Sequence, residues 1–247
     1  DAYVVENVPG MRAFPLVMEA MTKLPDYYVH VFCPVQSQHW LPQRRDRLII
    51  FGTRNRFEVR PPKHCRPVTL AEIVEQDPDV PLPSAIEARM TGKYRDLPII
   101  SDPTKGDLAP TCIAHYAKDK STRLVADKRF PRGVRPYSVR EYARLQGVPD
   151  WFTFPVSSTA AYRQIGNGVS VPKSEWVGGE LYRYFQQSKK LVAPSTSSLF
   201  FKEFHGLLKE TLGSRKDTEA CTRIQFESIL WRPFWKSSSV GRGKHCN

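Results

Sequence analysis

Glu6 closes a short apolar run, Ala2-Tyr3-Val4-Val5, and Asn7-Val8-Pro9-Gly10 follows at once. Partial burial of a carboxyl at the end of a strand raises its pKa and keeps a proton available. Arg45 and Arg47 belong to Pro42-Gln43-Arg44-Arg45-Asp46-Arg47, which stands directly before the apolar Leu48-Ile49-Ile50-Phe51. Alternation in an extended segment puts Arg45 and Arg47 on one face, with Arg44 and Asp46 on the other. A guanidinium fixed there could stabilise developing negative charge in a geometry that lysine does not reproduce. A third block runs Tyr162-Arg163-Gln164-Ile165-Gly166-Asn167-Gly168-Val169-Ser170-Val171-Pro172. Each block also has a plain alternative. Glu6 could be a surface residue opening a Pro-Gly turn, and the arginines an exposed charged strand end. Gly166 to Gly168 could be a helix-start turn, with Pro172 well suited to a first helical position.

The elements that must position these residues read as an open α/β arrangement. Ala2 to Val5 is a strand candidate, and so are Tyr27 to Phe32 and Leu48 to Phe51, rich in aromatic and β-branched residues. Phe14, Val17, Met18 and Met21 recur at helical spacing, which predicts a helix over about 12–24 packed on a sheet. In such sheets chemistry gathers at loops beyond strand ends. From about residue 58 to 135 prolines become frequent and periodicity fades, so a small irregular domain with short strands is expected, with one short helix at Thr69 to Val74. Ser138 and Glu141 form a Ser-x-x-Glu capping box, predicting a helix over 139–147 that stops at Gly147. Val177, Leu181, Tyr184 and Phe185 share a helical face, predicting another over 173–187. Residues 189–247 carry 11 Lys/Arg against 5 Asp/Glu and read as a basic extension with a disordered end.

The whole chain has a net charge of +12. An excess of this size favours polyanion partners through counterion release. No apolar run approaches the roughly 20 residues of a membrane-spanning helix. Five scattered cysteines, Cys33, Cys65, Cys112, Cys221 and Cys246, argue against a disulfide framework and fit a reducing compartment. Without Cys-x-x-Cys, and with no companion ligands for His64-Cys65, no structural metal is expected.

Taken in order, Glu6-Asn7-Val8, Gln43-x-Arg45-x-Arg47, Arg140-Glu141-x-x-Arg144-Leu145-Gln146-Gly147 and Gly166-Asn167-x-Val169-x-x-Pro172 resemble the second half of the DNA cytosine-5 methyltransferase family. The resemblance implies an α/β fold: the C-terminal part of a Rossmann-like, S-adenosylmethionine-dependent methyltransferase domain, with a small irregular target recognition domain. It implies domains at 1–57 (catalytic), 58–135 (target recognition) and 136–188 (bracing helix and return to the catalytic domain). In that family a cysteine thiolate adds to carbon 6 of a cytosine flipped out of the duplex. Carbon 5 then takes a methyl group from S-adenosylmethionine, while charge builds on N3 and O2 of the ring. Glu6 would contact N3 and the exocyclic amine, Arg47 would bond O2, and Arg45 would support the nucleophile loop or a flanking phosphate. Asn167, Gly168 and Val169 would wall the cofactor pocket. Arg44, Arg89, Lys93 and Arg95 are candidate contacts to double-stranded DNA, with Lys118 and Lys120 further ones.

The family also needs a Phe-x-Gly-x-Gly cofactor loop and a Pro-Cys nucleophile before Glu-Asn-Val. Neither occurs in this sequence, and Cys33-Pro34 has the reversed order. The chain also starts without a methionine, in what reads as mid-strand. The expectation is therefore a C-terminal fragment or split subunit, silent alone and completed by an N-terminal half that carries the nucleophile. The alternative is a non-catalytic DNA-binding or regulatory protein derived from that family. Either would be intracellular and DNA-associated.

Overall fold

The computed structural model describes residues 2–191, apart from 81–83, 94, 95 and 97. The chain divides into two units, Asp1–Glu180 and Leu181–Asn247. Most of the basic extension expected at 189–247 lies outside the described residues.

In the first unit β1 (Ala2–Asn7), β2 (Tyr28–Gln36) and β3 (Asp46–Thr53) form one sheet in the order β1-β3-β2. β3 is antiparallel to both neighbours, so β1 and β2 run in the same direction with β3 between them. The connection from β1 to β2 holds a 3-10 turn at Pro9–Ala13 and the helix α1 (Pro15–Thr22). The central place of β3 explains its unbroken apolar run, since Leu48, Ile49, Ile50 and Phe51 are all buried. Glu6 pairs with Ile49 and Asn7 with Leu48, which brings the end of β1 beside the start of β3.

The single helix expected over 12–24 is corrected to a 3-10 turn and a shorter helix. Pro15 lacks an N–H and opens α1 at a position where none is needed. The face that packs is also different. Met18 and Met21 join Met11 against Leu48 and Ile50, while Phe14 and Val17 are exposed. β2 continues past Phe32 to Gln36, with a register shift between Phe32 and Val35.

The short helix read at Thr69 is α2 (Leu70–Ile73), closed by a Thr69–Glu72 capping box. Beyond it lies α3 (Ser84–Thr91), which had no clear periodicity. A second sheet follows, β4 (Ile99–Ser101), β5 (Arg123–Ala126) and β6 (Val134–Pro136), in the order β4-β5-β6. The capping box at Ser138 is formed as its spacing predicts. Ser138 Oγ accepts from the Glu141 N–H at 3.0 Å, and Glu141 Oε2 accepts from the Ser138 N–H at 2.9 Å. It opens α4 (Val139–Arg144), and Gly147, at φ 78°, turns the chain away after it.

Two more helices follow, α5 (Ser158–Asn167) and α6 (Val171–Leu191). α6 is longer at both ends than expected and carries Pro172 in its first turn. Of the helix-start turn read over Gly166 to Gly168, only Gly168 stands between the helices, because Gly166 and Asn167 end α5, while Pro172 does take a place in the first turn of α6. The main core joins Leu70, Ile73, Cys112, Tyr116 and Val125 to Tyr137, Tyr142, Leu145, Tyr162 and Ile165, so its packing runs across residue 135. Among the described residues no helix is long and apolar enough to cross a membrane, and no cluster of three or more His, Cys, Asp or Glu could hold a metal.

Candidate active site

Glu6 and Arg47 meet at one end of the first sheet. Antiparallel pairing puts Arg47 diagonal to Glu6 on the same face, and their ion pair measures 2.7 Å from Arg47 Nε to Glu6 Oε1. The Arg47 side chain is largely buried and Glu6 is about one-third exposed. Arg47 Nη1 also donates to the Asp46 carbonyl at 2.7 Å, which restrains the guanidinium from a second side. The pair lies at the C-terminal end of β1, the end at which open α/β sheets gather ligand contacts.

Arg45 points elsewhere. Its guanidinium is buried and donates to the carbonyls of Cys112 (2.9 Å), Gly166 (3.2 Å) and Gly168 (2.8 Å). Held this way it faces no solvent, and a contact to a flanking phosphate is closed to it in this structure. What it does is join the start of β3 to the 112 segment and the end of α5. Gln43 and Gln146, both buried, extend the same network. Gln43 Nε2 donates to the Leu145 carbonyl at 2.5 Å, and Gln43 Oε1 accepts from the Cys112 N–H at 3.1 Å. Gln146 Nε2 donates to the carbonyls of Ile165 (2.9 Å) and Gly168 (3.2 Å). Arg45→Met is expected to cost about 2–4 kcal/mol, because the Cys112 and Gly166 carbonyls lose this donor in a dry site. Arg45→Lys, with one amine in place of a fork, recovers less than half of that loss. Urea midpoints of the two variants check it.

The network explains why Asn167, Gly168 and Val169 are presented together. α5 ends at Asn167, Gly168 bends the chain into α6, and Arg45 and Gln146 hold that bend through the Gly168 carbonyl. Asn167 and Val169 are exposed, so their side chains are open to a ligand, and Gly168 between them is half-buried. Beside them the Ser170 hydroxyl is buried without a partner among the described residues. An amide and an apolar side chain suit a ligand with an amino-acid moiety, so Asn167 and Val169 fit S-adenosylmethionine in chemical type and exposure, while the N–H and carbonyl of Gly168 are taken up by the end of α5, Arg45 and Gln146.

The remaining candidates are dispersed. Arg44 is exposed, and its backbone is pinned through its N–H to the Ala109 carbonyl at 2.9 Å. Arg89 pairs with Asp119 at 3.6 Å, and Lys93 is exposed. Arg95 lies outside the described residues. Lys120 stands over the Tyr162 ring at 5.1 Å, and burial lowers its pKa. Among the thiols, burial pushes Cys112 up to about 12, so it stays protonated, and the half-buried Cys33 packs against the Met11–Leu48 cluster. Lys173 is a site neighbour that sequence reasoning missed, and only its lone charge at the start of an amphipathic helix could have flagged it.

Residues 105–183 match the family model for C-5 cytosine-specific DNA methylases. The type II methyltransferase M1.ScrFI of Lactococcus lactis subsp. cremoris is 29% identical over 213 residues, covering 76% of this chain and 53% of that protein. The type II methyltransferase M.SsoII of Shigella sonnei is 31% identical over 195 residues, covering 69% of this chain and 50% of that protein. The chain belongs to the C-5 cytosine DNA methyltransferase family. It spans about half the length of these two relatives. A likeness of fold extends to the Schizosaccharomyces pombe Dnmt2 methyltransferase, with a TM-score of 0.60 at 17% identity over 74% of this chain and 68% of that one. A putative DNA modification methyltransferase encoded within an Escherichia coli prophage matches with a TM-score of 0.52 at 20% identity over 75% of this chain and 70% of that one.

Proposed function

We propose that this chain is the base-holding and DNA-reading part of a sequence-specific DNA cytosine-5 methyltransferase of the restriction-modification type. It works with a segment, in the same or another chain, that supplies the Pro-Cys nucleophile and the Phe-x-Gly-x-Gly loop. The observation that carries this reading is the Glu6–Arg47 pair, 2.7 Å apart at the ligand end of the sheet. A flipped cytosine offers an N3 and exocyclic amine on one edge and O2 beside them. Glu6 matches the first edge and Arg47 the second, so the extruded ring would be gripped by both, with Glu6 holding or moving a proton at N3. Arg47 neutralises the charge that develops on O2 as the thiolate adds to carbon 6. S-adenosylmethionine, when bound, supplies an electrophilic methyl group. Asn167, Gly168 and Val169 would hold its methionine part, and Arg45 and Gln146 fix their backbone. Residues 58–135 would read the target sequence through Arg89, Lys93 and Arg95, with Arg44 on the flanking backbone.

Two features of the first sheet support completion by another segment. β1 lies at the edge of that sheet. α1 has no buried residue; its Leu16 is 81% exposed and Phe14, just before it, is 61% exposed. The test is to combine the full chain with an N-terminal half of a relative and measure transfer of labelled methyl groups to DNA. Glu6→Gln and Arg47→Lys are each expected to lower turnover about 10²–10³-fold while DNA is still bound. DNA binding without transfer from any tested half would favour the second reading, a non-catalytic DNA-binding protein, for which the net charge of +12 already speaks.

A further inference from the structure

We propose that Lys173 is a positioning residue for Arg47: its amine holds the backbone at the start of β3, and gain or loss of a proton there moves the Arg47 guanidinium against Glu6. Lys173 is fully buried in the first turn of α6. Its Nζ donates to the Arg45 carbonyl at 2.6 Å and to the Ser37 hydroxyl at 2.9 Å. The Ser37 N–H donates to the same Arg45 carbonyl at 3.1 Å, so Lys173 closes a ring that ties β2's end to β3's start. Arg45 is thereby held at both ends, its carbonyl by Lys173 and its guanidinium by the 112, 166 and 168 carbonyls. Arg47, two residues on, inherits its direction from that fixed backbone.

A charge on Lys173 has little to favour it. The site is dry, the first turn of a helix repels cations, and two arginines stand close by. Burial lowers its pKa to about 7, Arg47 and Arg45 push the same way, and Glu6 and Asp46 oppose them. The charged and titratable groups facing it are therefore Glu6 from β1, Arg45, Asp46 and Arg47 at the start of β3, and His39 from the turn after β2. His39 is itself lowered, by burial first and then by His64 and Lys173. Above neutrality Lys173 is a neutral amine and Arg47 leans on Glu6 with one cation fewer behind it. Below neutrality a third cation joins Arg45 and Arg47, and its repulsion shifts the balance of the Arg47–Glu6 pair. The consequence for turnover rests on the methyl-transfer reading; the movement of Arg47 does not.

The test follows the Arg47 Nε and Lys173 Nζ resonances of the ¹⁵N-labelled full chain by NMR as pH is raised through neutrality. Both should titrate together with a midpoint near 7. In Lys173→Met the Arg47 transition should vanish, and in His39→Gln it should persist. An Arg47 signal that stays still through neutrality overturns the proposal. So does a transition unchanged in Lys173→Met or abolished in His39→Gln. If Lys173→Met does not fold, different midpoints for the two nitrogens in the unaltered chain overturn it equally. Failure of methyl transfer in every assay, with the shared midpoint intact, would instead sink the proposed activity and leave the role of Lys173 standing.

Discussion

Arg135→Met is expected to destabilise the first unit by about 3–5 kcal/mol, because it leaves a carboxylate buried without its countercharge. Arg135 is 1% exposed and forks onto Glu141, with Nη1 to Oε2 and Nη2 to Oε1 both at 2.7 Å. Its Nε reaches Asp127 at 2.7 Å. Glu141 is fully buried and also caps α4, so the same carboxylate serves the helix and the ion pair. Replacing both partners, as Arg135→Met with Glu141→Gln, should cost less than the single change, since no bare charge remains. Thermal or urea unfolding of the three proteins decides it. The network also sets an acid limit. Hydrogen bonds from Arg129 and Arg135 outweigh burial and hold the Asp127 carboxyl well below the usual range. A carboxyl lowered on folding lends stability that is complete above its unfolded value, near pH 4, and is lost as pH falls toward the folded one. Unfolding midpoints of the unaltered chain should therefore drop in acid, and Asp127→Asn should flatten that drop.

Much of the site was legible because its residues come as local signals. Ser138 and Glu141 cap a helix from their spacing alone. The apolar run Leu48 to Phe51 marked a buried strand, and strand alternation placed Arg47 on a definite face. Alternation failed one residue earlier. Arg45 and Arg47 were expected side by side, but β3 begins at Asp46, so Arg45 lies outside the pleat and is free to turn toward the carbonyls of 112, 166 and 168. Partners 67 to 123 residues away in sequence leave no local trace. α5 escaped for a similar reason. Its glycine and asparagine read as a turn, and what requires a glycine there is a close approach to a segment some fifty residues upstream. Lys173 was hidden because a lone lysine in a helix normally points to water, and only the assembled fold seals it beneath β3.

That close approach yields the other large effect. Gly166→Ala is expected to destabilise the first unit by at least about 3 kcal/mol, the upper part of the range for overpacking a rigid site. A Cβ on Gly166 would stand 2.3 Å from the Ile113 carbonyl carbon, 2.4 Å from the Ala114 nitrogen and 2.5 Å from the Ile113 oxygen. All three are backbone atoms, and Tyr142 holds both the N–H and the carbonyl of Ile113 through its hydroxyl, so the segment cannot swing aside cheaply. The helix would have to move instead, taking Asn167, Gly168 and Val169 away from Arg45. Gly178→Ala supplies the comparison. Its new methyl would meet nothing within 4 Å on an exposed stretch of α6, so helix propensity alone should stabilise that variant by up to about 1 kcal/mol. Opposite signs for the same chemical change would locate the constraint in the contact between α5 and the 113–114 backbone. Equal, small shifts would mean that this contact relaxes, and the cofactor wall would lose the rigid support attributed to it.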